Sequence, residues 1–155
     1  MLIRSRQNAA YLTVASPLRP VSPHMPRFTA LSIVAPHGLN VANGRKTLEV
    51  RSWQPNLLPL ENLLIVENDH FLTNEGDCDA NGRAVALVDV RTVRAWLPSE
   101  VEAACSKGWA PGYFAWQLEN VRPLREGTTV VAACKLYEVD VEVSAPGRQE
   151  RTPWT

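Results

Sequence analysis

Cysteine is scarce in the sequence, with three residues, Cys78, Cys105 and Cys134, among 155. They lie far apart and form no C-x-x-C pair, which argues against a disulfide framework and a zinc cluster. Long apolar runs are also missing, because charges or prolines interrupt each one before the roughly 18 residues that a membrane span needs. No apolar stretch of secretory-signal length follows Arg4 and Arg6. The sequence therefore predicts a cytoplasmic protein with reduced thiols and no membrane partner.

The sequence also lacks an excess of charge of either sign, since 16 basic residues balance 16 acidic ones. Residues 1–28 nevertheless hold four basic residues and no acidic one, which leaves 12 basic against 16 acidic residues in 29–155. A body with this balance has no broad positive field for long polyanions, although a local basic patch can hold a few phosphates. The charge pattern favours a small-molecule substrate.

Proline sets the N-terminal segment apart. Four of the twelve prolines fall within residues 1–27, and the segment has little periodicity, so an extended or poorly ordered arm is predicted there. The pattern becomes regular from residue 28. We predict one domain over residues 28–144 and a C-terminal tail over 145–155, because a chain of this length and composition holds a single core.

Short apolar stretches bounded by proline, glycine and polar residues predict strands. Six are expected, at residues 28–34, 46–53, 62–68, 83–93, 113–121 and 130–143. Residues 74–82 are expected to form a polar turn, in which Asn81-Gly82 is a hairpin signal.

Two short helices are predicted between these strands. The first covers 36–43, with Pro36 at its start and Gly44 beyond its end. The second covers 98–108, with acidic residues in its first turn and Lys107 in its last. Because no β-α-β rhythm is present, we expect an α+β fold in which five to six strands form a small β-barrel with two short flanking helices.

Polar side chains alternate along the predicted strand 46–53. One face carries a hydroxyl, an anion, a cation and an aromatic plane about 7 Å apart: Thr47, Glu49, Arg51 and Trp53. Such a row suits a cleft wall, with Lys46 at the mouth of the strand as a base or as a donor to an oxyanion. The alternative is that Glu49 and Arg51 form a surface ion pair and that Lys46 is solvated.

A second group of candidates follows: Tyr113, Trp116, Glu119 and Asn120. A nucleobase needs an aromatic ring to stack on and an amide or carboxylate for its edge. Tyr113 and Trp116 face opposite sides of a regular strand, so one is expected to line a cleft and the other to lie in the core. The sequence has no ligand cluster at zinc spacing and no glycine-rich phosphate loop, so no metal or cofactor is predicted.

Two segments carry a resemblance to a known family. Residues 44–53 resemble the signature G-x-K-T-x-E-x-R-S-W, and residues 112–124 resemble G-x-Y-A-W-x-L-E-N-x-R-P-L, here with Phe114 between Tyr113 and Ala115. In this order and separation they identify the chain, over residues 29–143, as similar to the ASCH domain family. The resemblance implies a PUA-like β-barrel with a cleft for nucleic-acid components.

The family includes RNA- or DNA-binding modules, proposed ribonucleases and small bacterial amidohydrolases that act on N4-acetylcytidine. Those amidohydrolases are thought to use a lysine in a G-x-K-T segment, a threonine three residues later and a glutamate on a later segment. Lys46 matches the lysine, and Glu49 stands where the threonine is expected. The later glutamate aligns loosely with Glu100 or Glu102, and Glu119 is a further candidate.

The resemblance and the residues together suggest an amidohydrolase that removes the acyl group from N4-acylated cytosine nucleosides. Glu49 would activate water, Lys46 would stabilise the oxyanion, and Thr47 or Ser52 is a candidate hydroxyl. The substrate would contact Arg51, Trp53, Tyr113, Trp116, Glu119 and Asn120. The alternative is an RNA-binding module, or a single-stranded ribonuclease, whose phosphate contacts are Lys46, Arg51, Arg91, Arg94 and Arg122.

Overall fold

The computed structural model describes residues 24–145. Seven strands are present in this range: β1 (Arg27–Val34), β2 (Leu48–Arg51), β3 (Leu60–Asn68), β4 (Cys78–Ala95), β5 (Phe114–Pro123), β6 (Thr129–Ala133) and β7 (Leu136–Asp140). One α-helix, α1 (His37–Ala42), follows β1, and a 3₁₀ turn (Pro98–Glu100) follows β4. No helix within these residues is long and apolar enough to cross a membrane.

All seven strands join one sheet in the order β2-β5-β4-β3-β1-β7, with β6 paired to β4. Only β1 and β3 pair in parallel, whereas the other described pairings are antiparallel. The long β4 pairs with β6 through its first residues and with β3 and β5 through the rest. The sheet therefore curls into a half-barrel, which is compatible with the expected PUA-like barrel and is mostly β rather than α+β.

The core lies on both faces of the curled sheet. Leu63 and Ile65 of β3 belong to the buried cluster that also holds α1 and Trp116. Their neighbours Leu64 and Val66 belong to the cluster on the opposite face, with Val130 of β6. Because successive side chains of a strand point to opposite faces, a strand buried on both sides needs a continuous apolar run. This requirement explains the Leu-Leu-Ile-Val stretch.

The predicted helix over residues 98–108 is wrong, since only the 3₁₀ turn at Pro98–Glu100 forms there. The carbonyl oxygen of Ala103 instead accepts hydrogen bonds from the backbone N–H groups of Thr47 and Leu48. Cys105 has a φ of 52°, a left-handed conformation that ends a helical path. Contacts with the edge of β2 outweigh the local helix signals.

Several strand boundaries also differ from the prediction, and two of the differences change the topology. Asn81 and Gly82 lie inside β4 rather than in a hairpin turn, at a register shift opposite β6. The predicted strand 130–143 is two strands, β6 and β7, because Lys135 has a φ of 59° and turns the chain between them. The predicted arm over residues 1–27 and the tail over 145–155 lie almost wholly outside the described residues.

Candidate functional site

A pocket of about 230 Å³ opens where the parallel strands β1 and β3 end. The strands are tied there, since the N–H of Ala35 donates to the carbonyl oxygen of Asn68 at 2.8 Å. The pocket is lined by Ser32, Ile33, Val34, His37, Lys46, Glu49, Val50, Arg51, Asn68, Phe71, Leu72, Ala133, Cys134 and Lys135. Polar groups from β1, β2 and β3 thus share one wall with apolar side chains.

The side chain of Lys46 is held in this wall by the segment that precedes β5. Its Nζ donates to the carbonyl oxygen of Ala104 at 2.6 Å and lies 3.2 Å from Oε2 of Glu49. Lys46 and Glu49 are 6% and 5% exposed. The alternative of a solvated lysine and a surface carboxylate is therefore wrong, and the two form a buried ion pair.

Arg51 fixes the orientation of the Glu49 carboxylate. Its Nε donates to Oε1 of Glu49 at 2.8 Å, and its Nη2 donates to the backbone carbonyl oxygen of Ser32 at 2.7 Å. Three strands separate β2 from β1 in the sheet order, so the curl of the sheet brings these groups together. The hydroxyl of Ser32 in turn lies 2.8 Å from that of Tyr137, whose pKa is raised by burial.

The second carboxylate oxygen of Glu49 is balanced by the Lys46 ammonium, at 3.2 Å. Among the described residues, Oε2 is nevertheless the one buried side-chain nitrogen or oxygen atom that accepts no hydrogen bond of regular geometry. Buried polar atoms are generally hydrogen-bonded, and an acceptor with spare capacity can bind a donor from water or from a ligand.

Three other residues of the first motif point elsewhere. Thr47 and Ser52 are exposed, and Trp53 is half-buried with its ring 4.9 Å from that of Trp116 in an edge-to-face contact. None of the three lines the pocket. The expected common face of Thr47, Glu49, Arg51 and Trp53 fails because β2 covers only Leu48–Arg51 and Thr47 is bound through its backbone to Ala103.

The second group of candidates lies away from the pocket. Trp116 is fully buried, which leaves none of its ring for a nucleobase. Tyr113 is exposed beside Trp96, at 6.5 Å between ring centroids. Glu119 lies 3.9 Å from Arg91.

Asn120 belongs to a carboxylate-centred network instead. Its Nδ2 donates to Asp89 at 2.9 Å, and Arg122 and the backbone N–H of Asn62 also donate to that carboxylate. These donors, with Arg122 as the main one, hold the pKa of the buried Asp89 far below its usual value. The structure gives Asn120 a partner within the sheet.

The later glutamates do not reach the pocket either. Glu100 pairs with Arg94 and accepts a hydrogen bond from the N–H of Leu97, and its pKa is lowered mainly by the hydrogen bond from Arg94. Glu102 is exposed. This segment supplies Lys46 with the carbonyl oxygen of Ala104 rather than with a carboxylate.

Sequence reasoning missed most of the pocket residues, among them the polar Ser32, Asn68 and Lys135 and the aromatic Phe71. Ser32 and Asn68 are buried polar residues at the ends of apolar strands. Polar residues in such positions need partners, and that is the signal that singles them out. Phe71 and Lys135 lie in connections whose path only the fold defines.

Comparison with known protein families gives a match to this chain. The model of the ASCH domain matches residues 31–142, which is most of the chain. The chain belongs to the ASCH domain family. This family is linked to RNA binding and to hydrolase-like activity.

Among solved structures, this ASCH domain is similar to a variant of ZmASCH from Zymomonas mobilis. The two share 12% sequence identity with a TM-score of 0.39, and the match covers 63% of this chain and 73% of the other. No curated protein matches the chain.

The two motifs of the ASCH domain have different roles in this chain. Residues 44–53 supply the charged wall of the pocket, whereas residues 112–124 supply core packing and the Asp89 network. Within residues 24–145, no three His, Cys, Asp or Glu side chains come together as metal ligands.

Proposed function

We propose that this ASCH domain is an amidohydrolase that removes the acyl group from N4-acylated cytosine nucleosides. The observation that carries the proposal is the buried Oε2 of Glu49, which accepts no regular hydrogen bond and lies 3.2 Å from the ammonium group of Lys46 in a pocket wall. In the proposal, an attacking water donates a hydrogen bond to this oxygen. A carboxylate and a cation side by side are what amide hydrolysis requires.

In the proposed reaction, water donates a hydrogen bond to Oε2 of Glu49 and loses its proton there as its oxygen attacks the acyl carbon. The tetrahedral oxyanion is stabilised by Lys46. Collapse of this intermediate breaks the bond between carbon and N4, and the proton on Glu49 passes to the leaving nitrogen. The products are a carboxylic acid and a cytosine nucleoside.

Arg51 supports this role of Glu49 by binding the other oxygen. With Oε1 held by Nε of Arg51, Oε2, beside the Lys46 ammonium, is the oxygen that accepts a proton from water in this proposal. The guanidinium is itself fixed by the Ser32 carbonyl, so the carboxylate is oriented before substrate arrives. Preorganised groups of this kind lose little free energy to reorientation during the reaction.

The pairing of the arginines favours a small substrate over RNA. Arg91, Arg94 and Arg122, which would hold backbone phosphates in an RNA-binding module, each lie in an ion pair with a carboxylate of the sheet or of the turn after β4. The pocket volume of about 230 Å³ lies below the roughly 300–1,000 Å³ that is usual for small-molecule sites, so the pocket has room only for a small ligand. Both features support a single nucleoside as ligand.

The test incubates the purified chain with N4-acetylcytidine and separates the products by chromatography. Glu49→Gln and Lys46→Met are expected to lower kcat by about 10²-fold or more, the usual contribution of a general base or an oxyanion donor. Glu102→Gln, at an exposed position outside the pocket, is the matched control and keeps the wild-type rate. Circular dichroism verifies that each variant is folded. Near wild-type rates in both pocket variants would sink the assignment.

The RNA alternative is tested in the same preparation. An RNA-binding module binds a single-stranded oligonucleotide with an affinity that falls steeply as salt rises, whereas hydrolysis of a neutral nucleoside depends little on salt. We expect turnover that changes less than about twofold between 50 and 200 mM salt, whereas phosphate-driven binding weakens by orders of magnitude over that range.

A further inference from the structure

Phe71 stands at the mouth of the pocket with most of its ring in water. It is 79% exposed and belongs to the pocket lining with Lys46 and Glu49. It lies in the connection between β3 and β4, residues 69–77. Keeping a large apolar side chain in solvent forgoes the free energy of its burial.

The connection holds Phe71 in this place. On one side, the buried Asn68 donates its Nδ2 to the carbonyl oxygen of His70. On the other side, Leu72 packs against the buried cluster that contains Val66. The chain on both sides of Phe71 is therefore anchored while its own side chain points away from the core.

Exposure alone does not make Phe71 a ligand contact, because apolar side chains occur singly on most protein surfaces. Leu57 is 80% exposed and does not line this pocket. Phe71 differs because it lines the same pocket as the buried ion pair of Lys46 and Glu49. An aromatic group beside a few convergent polar groups is the usual composition of a small-molecule site.

We propose that Phe71 is the substrate-binding residue that stacks on the base of the substrate. The proposal rests on the proposed function, because the ring lies against Phe71 while the exocyclic amide reaches the wall at Glu49. It assigns to Phe71 the stacking role expected of Trp53, Tyr113 or Trp116, none of which lines the pocket. Base stacking on an aromatic side chain is indifferent to the ring atoms, so selection of the N4 amide falls to the polar wall.

The experiment measures hydrolysis of N4-acetylcytidine together with binding of the product cytidine by titration calorimetry. Phe71→Ala is expected to raise KM and to weaken cytidine binding by about 5- to 150-fold, the range for loss of one base stack, with a smaller change in kcat. Phe71→Trp is expected to restore binding, since it replaces one aromatic plane by another. Leu57→Ala is the matched control for removal of an exposed apolar side chain and leaves both quantities unchanged.

The outcomes separate this proposal from the proposed function. Wild-type hydrolysis with an unaltered KM and cytidine affinity in Phe71→Ala overturns the role of Phe71 and leaves the activity standing. Cytidine binding that depends on Phe71, in a protein that does not hydrolyse N4-acetylcytidine, supports the stacking role and overturns the activity. Absence of both binding and hydrolysis overturns both.

Discussion

Lys46, Glu49 and Arg51 place two cations and one anion in the wall of a small pocket. Burying charge is costly unless the charges are paired and hydrogen-bonded. Lys46 meets this condition through Glu49 and the Ala104 carbonyl, and Arg51 through Glu49 and the Ser32 carbonyl. Glu49 is the shared partner, so each cation depends on it.

Replacing Lys46 or Glu49 tests how far the stability of the fold depends on this buried ion pair. Lys46→Met is expected to lower the free energy of unfolding by up to about 3–5 kcal/mol, because it leaves the buried Glu49 charge with one cation, Arg51, instead of two. The double variant Lys46→Met/Glu49→Gln is expected to lose clearly less than the sum of the two single variants, since neither charge remains. Urea unfolding of the four proteins measures the coupling. Strict additivity would show that Lys46 and Glu49 do not interact.

At this scale the sequence predicted which segment carries the charged wall. The motif over 44–53 and the period of two placed Glu49 and Arg51 on one face, and the structure brings both into the pocket with Lys46. Thr47 and Trp53 lie elsewhere because β2 is only four residues long. Phe71 carried no local signal, since a single aromatic residue in a polar connection has the same pattern whether it faces solvent or a pocket.

Among the elements, β4 organises the sheet because β3, β5 and β6 all pair with it. Its valine-rich sequence predicted a long strand, but the strand begins at Cys78 rather than at Arg83. The additional residues, 78–82, extend β4 because this part of the chain pairs with β6. No local sequence pattern reveals that pairing. The predicted helix over 98–108 is absent for a similar reason, because contacts distant in sequence decide the structure there. Carbonyl groups of this segment accept hydrogen bonds from Lys46 and from the backbone at the start of β2.

The hydrogen bonds to Asp89 of β4 make the free energy of unfolding depend on pH in the acidic range. Because the pKa of Asp89 is lowered in the folded state from 3.8, its contribution is present above the unfolded pKa and is lost as pH falls below about 4. Asp89→Asn is expected to lower the free energy of unfolding by about 2–3 kcal/mol at pH 7, where hydrogen bonds to a charged group are lost, and by less at pH 3.

Urea unfolding between pH 2.5 and 7 measures how the difference in stability between wild type and Asp89→Asn changes with pH. Asp140→Asn is the control, since Asp140 is exposed and pairs only at the surface with Arg27; its effect at pH 7 is expected to be the smaller one. A difference between wild type and Asp89→Asn that stays constant across this range would contradict the role of the Asp89 charge.

For the whole molecule, the curl of the sheet depends on close approach of β6 to β4. Gly82 lies at this crossing, where an added Cβ would overlap the carbonyl oxygen of Val130 and lie 2.8 Å from Cγ1 of Val66. Neither the backbone of Val130 nor the buried side chain of Val66 can move aside without a loss of packing free energy. The same curl brings Ala133, Cys134 and Lys135 to the pocket, so closure and site geometry are linked.

Gly82→Ala is therefore expected to lower the free energy of unfolding by about 1–3 kcal/mol, the usual cost of overpacking, and to reduce hydrolysis of N4-acetylcytidine. Gly108→Ala is the matched control, since its added Cβ meets no atom within 4 Å. Thermal unfolding and the chromatographic assay measure both effects. A fully stable Gly82→Ala would show that the crossing has room to relax.

The connection over residues 69–77 has an evolutionary consequence. It forms the mouth of the pocket, while the hydrogen-bond ladder between β3 and β4 runs from Leu60–Val90 to Glu67–Arg83, outside the connection. Changes of length or composition there leave the charged wall and the ladder intact, because loops tolerate substitution far better than the strands they join. Variation in this one loop therefore changes the surface offered to a ligand at the mouth of the pocket while the charged wall of Lys46, Glu49 and Arg51 is retained.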